Sequence, residues 1–188
     1  MGSEIVGVHV PSKTEMAFFF VSGMIVSVPM TLFSGPFTNG LCFVLPLFYA
    51  QVCSTGLVTP LVEEFAKAYP LFYRHGESGR SLYTMGFLTG LSFGVVEFII
   101  YVLQFRAAIP FRVVAVVFHA STASLTAYGI WREQPFRYYI LAVARHTANN
   151  FSSFFGNWWY VGGLGGFAVA AFLSWTRYQE VQSVQMPD

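Results

Sequence analysis

Apolar runs of about 17 to 24 residues, each long enough to cross a bilayer as a helix, recur along this chain and constrain its fold most. Backbone amides in hydrocarbon have no water to bond, so such runs are satisfied as helices. The runs predict helix 1 at Met16–Phe33, helix 2 at Gly40–Ser54 and helix 3 at Thr59–Arg74. Helix 4 follows at Ser81–Phe105, helix 5 at Pro110–Trp131, helix 6 at Phe136–Phe155 and helix 7 at Trp158–Trp175, then a polar tail. Ser34–Asn39 reads as a turn and His75–Arg80 as a polar loop. Pro29 marks a kink in helix 1, and Pro46 falls inside helix 2. Thr59 suits an N-cap, with Pro60 at the first helical position.

The expected fold is therefore all-α: a polytopic transmembrane bundle of about seven helices, forming one integral membrane domain over residues 1–188. Helix 3 is the short one, reaching only about 24 Å. If helices 2 and 3 form a re-entrant pair, six spans remain. Only 10% of the residues are charged, where a soluble domain carries roughly a quarter. Mean hydropathy is +0.55. A net charge of +1 gives no footprint for nucleic acid. The first apolar run is not followed by a small-residue cleavage site, and Val6 stands where a myristoylation signal needs a hydroxyl. Cys42 and Cys53 fall on one predicted helix, about 16 Å apart along its axis, so they read as packing thiols rather than a disulfide.

Against this background the segment TPLVEEFAKAYPLFYR, Thr59–Arg74, stands out. Glu63, Glu64 and Lys67 fall within about one helical turn, and ionisable groups at membrane depth call for a polar interior and a functional reason. Further polar residues are Glu97 on helix 4, His119 on helix 5, and Arg145, His146, Asn149 and Asn150 on helix 6. With alternating helix directions and about 1.5 Å rise per residue, depths can be compared from one side of the membrane, side X. Glu63 and Glu64 come to about 6 to 8 Å, Asn150 to about 8 Å, and Glu97, His119 and His146 to about 12 to 14 Å. Four helices thus place their polar residues in the same half. Gly86, Gly90 and Gly94 form a small-residue stripe that lets helix 4 approach a neighbour and carry Glu97 inward.

The chemistry implied is hydrolysis. A carboxylate at Glu63 or Glu64 can take the proton of a water, and His119, His146 and Asn150 can position that water or steady an oxyanion. Lys67, four residues from Glu63, shares its face and tunes a glutamate rather than reacting itself. The same residue types suit Zn2+, with Glu64, Glu97, His119 and His146 as candidate ligands. No HExxH occurs, and both chemistries stay open at this level. Each residue taken singly also has a structural reading, as an ion-pair member or a hydrogen-bonded interior histidine.

These residues resemble the PrsW family of intramembrane proteases. That family shares a superfamily with the CAAX prenyl endopeptidases and the anterior-pharynx-defective scaffold subunit of gamma-secretase. The resemblance spans residues 57–155. EEFAK at Glu63–Lys67 is similar to an EExxK motif, and FGVVE at Phe93–Glu97 to FxxxE. The third motif lies around His119, and HTANN at His146–Asn150 gives HxxxN. Phe98 stands where the family often has Asn. The resemblance implies a membrane-embedded endopeptidase that cuts membrane-anchored proteins or peptides, with a homo-oligomer compatible. A non-catalytic scaffold is the main alternative, since the scaffold relative shares the helix 4 glycines and the two histidines; an ion-coupled transporter is a third.

With seven spans, Lys13, Arg106 and Arg112 lie on side X, and Arg74, Arg80, Arg132, Arg137 and Arg177 on the other. The positive-inside rule then makes this a multi-pass protein with its site in the extracytoplasmic half.

Overall fold

The computed structural model describes residues 10–73 and 78–184. Among these residues all regular structure is helical, with no strand. The helices are α1 (Lys13–Cys42), α2 (Leu47–Gln51), α3 (Thr59–Ala68), α4 (Gly79–Phe105), α5 (Ile109–Trp131), α6 (Pro135–Ser152) and α7 (Trp159–Val184). Two of them, α4 and α5, are long and apolar enough to cross a membrane.

Several boundaries differ from those expected, each for a local reason. Ser34–Asn39 is not a turn but part of α1, which runs through both Pro29 and Pro36. The two prolines are seven residues apart and so share one face, leaving the other side of the helix bonded. Pro46 is not inside a helix; it precedes α2 with extended backbone, after a turn closed by Leu45 N–H on Cys42 O (3.0 Å).

Thr59 does not cap a new helix. A π-helical segment, Val52–Val58, joins α2 to α3 without a break, and a 3-10 turn, Tyr69–Tyr73, extends the rod. Pro60 has no N–H for the carbonyl four residues back, and the wider π turn just before it absorbs that missing bond. The end predicted near Arg74 and the first half of the His75–Arg80 loop lie outside the described residues. At α4, Gly79 and Arg80 are already helical, and Ser81 N–H donates to the capping Ser78 Oγ (3.2 Å). The segment expected as a polar tail after Trp175 remains helical to Val184. It is held there because Val181 is buried beside Tyr83 and Tyr128.

The break at residues 43–46 also overturns the cysteine expectation. Cys42 closes α1 and Cys53 lies on the following rod, so the two meet across the turn. They form a disulfide with a Cα–Cα distance of 5.8 Å.

Merging the second and third predicted helices leaves six rods. Phe19, near the start of α1, therefore packs with Leu71, Met85 and Ala127. This places Lys13 at the end that carries Arg80, Arg132, Arg137 and Arg177, not with Arg106 and Arg112 as seven spans required. The disulfide lies at the Arg106 and Arg112 end.

The central element is α5, buried at every position from Phe118 to Gly129. The glycine stripe of α4 faces it. A Cβ on Gly90 would come within 2.6 Å of Ala123 Cβ and 2.9 Å of Ala120 Cα, so only glycine permits this approach. The interior is unusually polar: Thr89, Ser92, Thr122, Ser124 and Thr126 are buried along with the charged cluster. The exterior is the reverse, with Phe18, Ile25, Leu103 and Phe172 each more than 60% exposed.

Candidate active site

The site is built where α3, the C-terminal half of α4, α5 and α6 meet. Glu63, Glu64, Lys67, His119 and His146 are all buried. Because the rod carrying α3 starts at Leu47, Glu63 lies roughly 24 Å from its beginning. It is therefore near mid-rod, deeper than a helix starting at Thr59 would put it.

Glu64 points toward α5 and is fully engaged at one oxygen. Its Oε1 accepts from Lys67 Nζ (2.6 Å), His146 Nδ1 (2.8 Å) and Thr122 Oγ1 (3.2 Å). Lys67 thus pairs with Glu64, three residues back, rather than with Glu63. Its ammonium also reaches Thr122 Oγ1 (3.1 Å) and His119 Nδ1 (3.0 Å). An ammonium only donates, so His119 Nδ1 accepts and its Nε2 carries the hydrogen. That Nε2–H donates to Glu97 Oε2 (2.7 Å), and Glu97 in turn pairs with Arg112 (3.0 Å). Phe93 closes the network, its ring 5.3 Å from Lys67 Nζ and 5.2 Å from the His119 ring.

The other oxygen of Glu64, Oε2, is buried without a hydrogen-bond partner. Glu63 differs in that it lines a cavity. It is 7% exposed, yet its Oε2 is buried with no hydrogen-bond partner. The nearest base is His146, whose Nδ1–H is fixed on Glu64. This leaves His146 Nε2 as the free ring nitrogen, 3.7 Å from Glu63 Oε2. That gap is too long for a hydrogen bond and fits a bridging water. Both groups line a cavity of about 510 Å³, along with Glu97, His119, Asn149 and Asn150. Ala107, Ala108 and Arg112 also line it, so it lies toward the disulfide-bearing end. Asn150 spends one amide hydrogen on Thr55 O (3.0 Å), which ties α6 to the π-helical segment. Asn149 Nδ2 donates to Asn150 Oδ1 (3.4 Å).

One carboxylate oxygen of Glu63 and one nitrogen each of His119 and His146 lie within 4.8 Å of one another. Two imidazoles and a carboxylate are a fitting donor set for zinc. Glu63 and His146 have the required atoms free; His119 would have to release Lys67 or Glu97. Of the other expected ligands, Glu97 Oε2 is engaged by His119 and Arg112, and Glu64 Oε1 by Lys67. Glu64 Oε2 has no hydrogen-bond partner. Two participants were not singled out from sequence. Thr122, one turn beyond His119, bonds both Glu64 and Lys67. Arg112, two turns before His119, holds Glu97 and lies 3.9 Å over the Tyr101 ring. Its spacing from His119 was the available signal, and it partners Glu97 where the Asn of the resembled motif is replaced by Phe98.

Comparison of the chain with protein-family models, curated proteins and solved structures returns no match.

Proposed function

We propose that this chain is a multi-pass membrane endopeptidase of the PrsW type, hydrolysing peptide bonds of membrane-anchored proteins or peptides. The membrane placement is supported by the inverted distribution of side chains, polar within and apolar without, which water would not favour. Five basic residues, Lys13, Arg80, Arg132, Arg137 and Arg177, gather at one end against Arg106 and Arg112 at the other. The positive-inside rule puts the richer end in the cytoplasm. The Cys42–Cys53 disulfide at the other end supports the same orientation, because disulfides persist on the oxidising side. The cavity then belongs to the extracytoplasmic half.

The observation that carries the catalytic reading is the bare Glu63 Oε2 beside the free His146 Nε2 in a shared cavity. A water there donates one hydrogen to each and turns a lone pair toward a substrate carbonyl. Glu63 takes the proton as the C–O bond forms, and the amides of Asn149 and Asn150 steady the developing oxyanion. Collapse breaks the C–N bond, and the proton held by Glu63 passes to the leaving amine. Glu64 acts through His146, fixing its tautomer, and Lys67 holds Glu64 and His119. Bound zinc, held by Glu63, His119 and His146, would supply a more acidic water.

The test is cleavage of membrane-anchored peptides by purified protein in lipid, with and without a chelator. Wild type is expected to cut, Glu63→Gln and His146→Ala to fold without cutting. Chelator sensitivity decides between zinc and glutamate-only chemistry. A wild type that cuts nothing, with variants that differ only in stability, favours the second reading: a non-catalytic scaffold. The closed Glu64–Lys67–His119–Glu97–Arg112 chain is the observation on its side.

A further inference from the structure

A second cavity lies at the basic end, away from the site above. At their connection α6 and α7 are in close contact, since a Cβ on Gly162 would collide with Ser152. Toward the other end they part and leave a groove of about 400 Å³ with Leu125 of α5 as its floor. Its walls are Ile140, Leu141 and Ala144 on α6 and Leu173 on α7, and its mouth carries Arg137 and Arg177. Arg137 and Ala144 are seven residues apart, so the walls run about 10 Å along the axis. Arg177 donates to Glu180 Oε2 (2.8 Å), whereas Arg137 donates only to the neutral Gln134 Oε1 (3.2 Å). No acidic residue lines the groove.

We infer that the groove between α6 and α7 is a binding site for one anionic phospholipid. Its phosphate would sit between Arg137 and Arg177 and an acyl chain along Leu141 and Leu173. The assignment rests on the membrane placement above and not on the protease reading. Guanidinium groups pair with phosphate oxygens in a bidentate fashion. Two arginines above apolar walls match a headgroup joined to a chain, and a partner's apolar helix would leave Arg137, which has no acidic partner, uncompensated. Arg177 and Arg137 lie at the end placed in the cytoplasm, and the cytoplasmic leaflet presents anionic lipid.

Flotation with vesicles comes first; a protein that stays in the aqueous phase overturns both the placement and the site. Protein that floats is then extracted from bilayers of phosphatidylglycerol and phosphatidylcholine in equal parts, and the retained lipid is counted by native mass spectrometry. One phosphatidylglycerol per chain is expected, in preference to phosphatidylcholine. Its affinity should fall about fivefold for each guanidinium removed, in Arg137→Gln and in Arg177→Gln. Leu141→Trp keeps both charges but fills the groove and should also lose the lipid, whereas Arg80→Gln, outside the groove, should keep it. Arg137→Gln breaks only a bond to a neutral amide, so it remains informative if Arg177→Gln misfolds. Equal retention of the two lipids, or of phosphatidylglycerol by Arg137→Gln and Leu141→Trp, overturns the site. So does displacement of the retained phosphatidylglycerol by inorganic phosphate alone, which would mark a simple anion site.

Discussion

Glu63 and Glu64 are neighbours in sequence and both buried, and they differ in what surrounds them. A rotation of about 100° along α3 separates them. Glu64 faces the tightly packed α5, where Lys67, Thr122 and His146 converge on its Oε1. Glu63 faces the looser side, where α6 and the π-helical segment leave a cavity that its side chain lines. Both residues have a buried Oε2 without a hydrogen-bond partner, but only Glu63 opens onto this space. On the closed side the charges hold the helices in register. On the open side a carboxyl oxygen facing a cavity is left without a hydrogen bond, which is tolerated where a ligand or a reacting group will use it. On the proposed reading, one turn of helix carries a structural acid and a reactive one.

The sharpest way to break this comparison is to remove each acid's oxygen charge in turn. Glu63→Gln should lower cleavage by about 10²–10⁴-fold, the usual contribution of a positioned base, while thermal unfolding in lipid stays near wild type. If both glutamines were equally active, the distinction between the two faces would be gone. The next effect belongs to stability. Lys67→Met leaves Glu64 as a buried charge without its cation and should destabilise by about 3–5 kcal/mol. Adding Glu64→Gln to Lys67→Met should recover most of that loss, as seen by a double-mutant cycle in thermal unfolding. Pairing Lys67→Met with Glu63→Gln should recover little.

How far this could be read in the sequence follows the same division. The helices α4 and α5 were legible because their runs are long, apolar and free of internal proline. The convergence of Glu63, Glu64, Lys67, Glu97, His119 and His146 was legible because helical rise alone sets their levels. What failed was punctuation. Prolines at 36, 46 and 60 were read by their average preference, but Pro36 is absorbed within α1 and Pro60 behind a π turn, while Pro46 marks the true break. That error put both cysteines on one helix and Lys13 at the wrong end. Helical spacing puts Lys67 within reach of either glutamate and does not choose between them. Tertiary contacts with Thr122 and His119 turn the ammonium toward Glu64.

The disulfide sharpens the contrast from the open side. It pins the end of α1 to the π-helical segment whose Thr55 carbonyl holds Asn150. The closed side shares none of these contacts. Replacing Cys42 and Cys53 by Ser should reduce stability by about 3 kcal/mol on the chain-entropy account for a loop of this length. Cleavage should fall further than stability accounts for, because a cavity wall loosens. A thermal melt with and without a thiol reductant, alongside the cleavage assay, reads both.

Thr122→Val should give the smallest effect. The substitution keeps the β-branched shape and removes one hydroxyl that donates to Glu64 and accepts from Lys67. A single such bond contributes about 1 kcal/mol, somewhat more when a partner is charged. Glu64 keeps Lys67 and His146, so its charge stays compensated and the His146 tautomer stays fixed. The cleavage rate should therefore stay within a few-fold of wild type while the unfolding midpoint drops by a few degrees. A large loss of cleavage with little loss of stability would instead put Thr122 at the reacting water. The closed side would then extend into the chemistry, and the division between the two glutamates would have to be redrawn along α5.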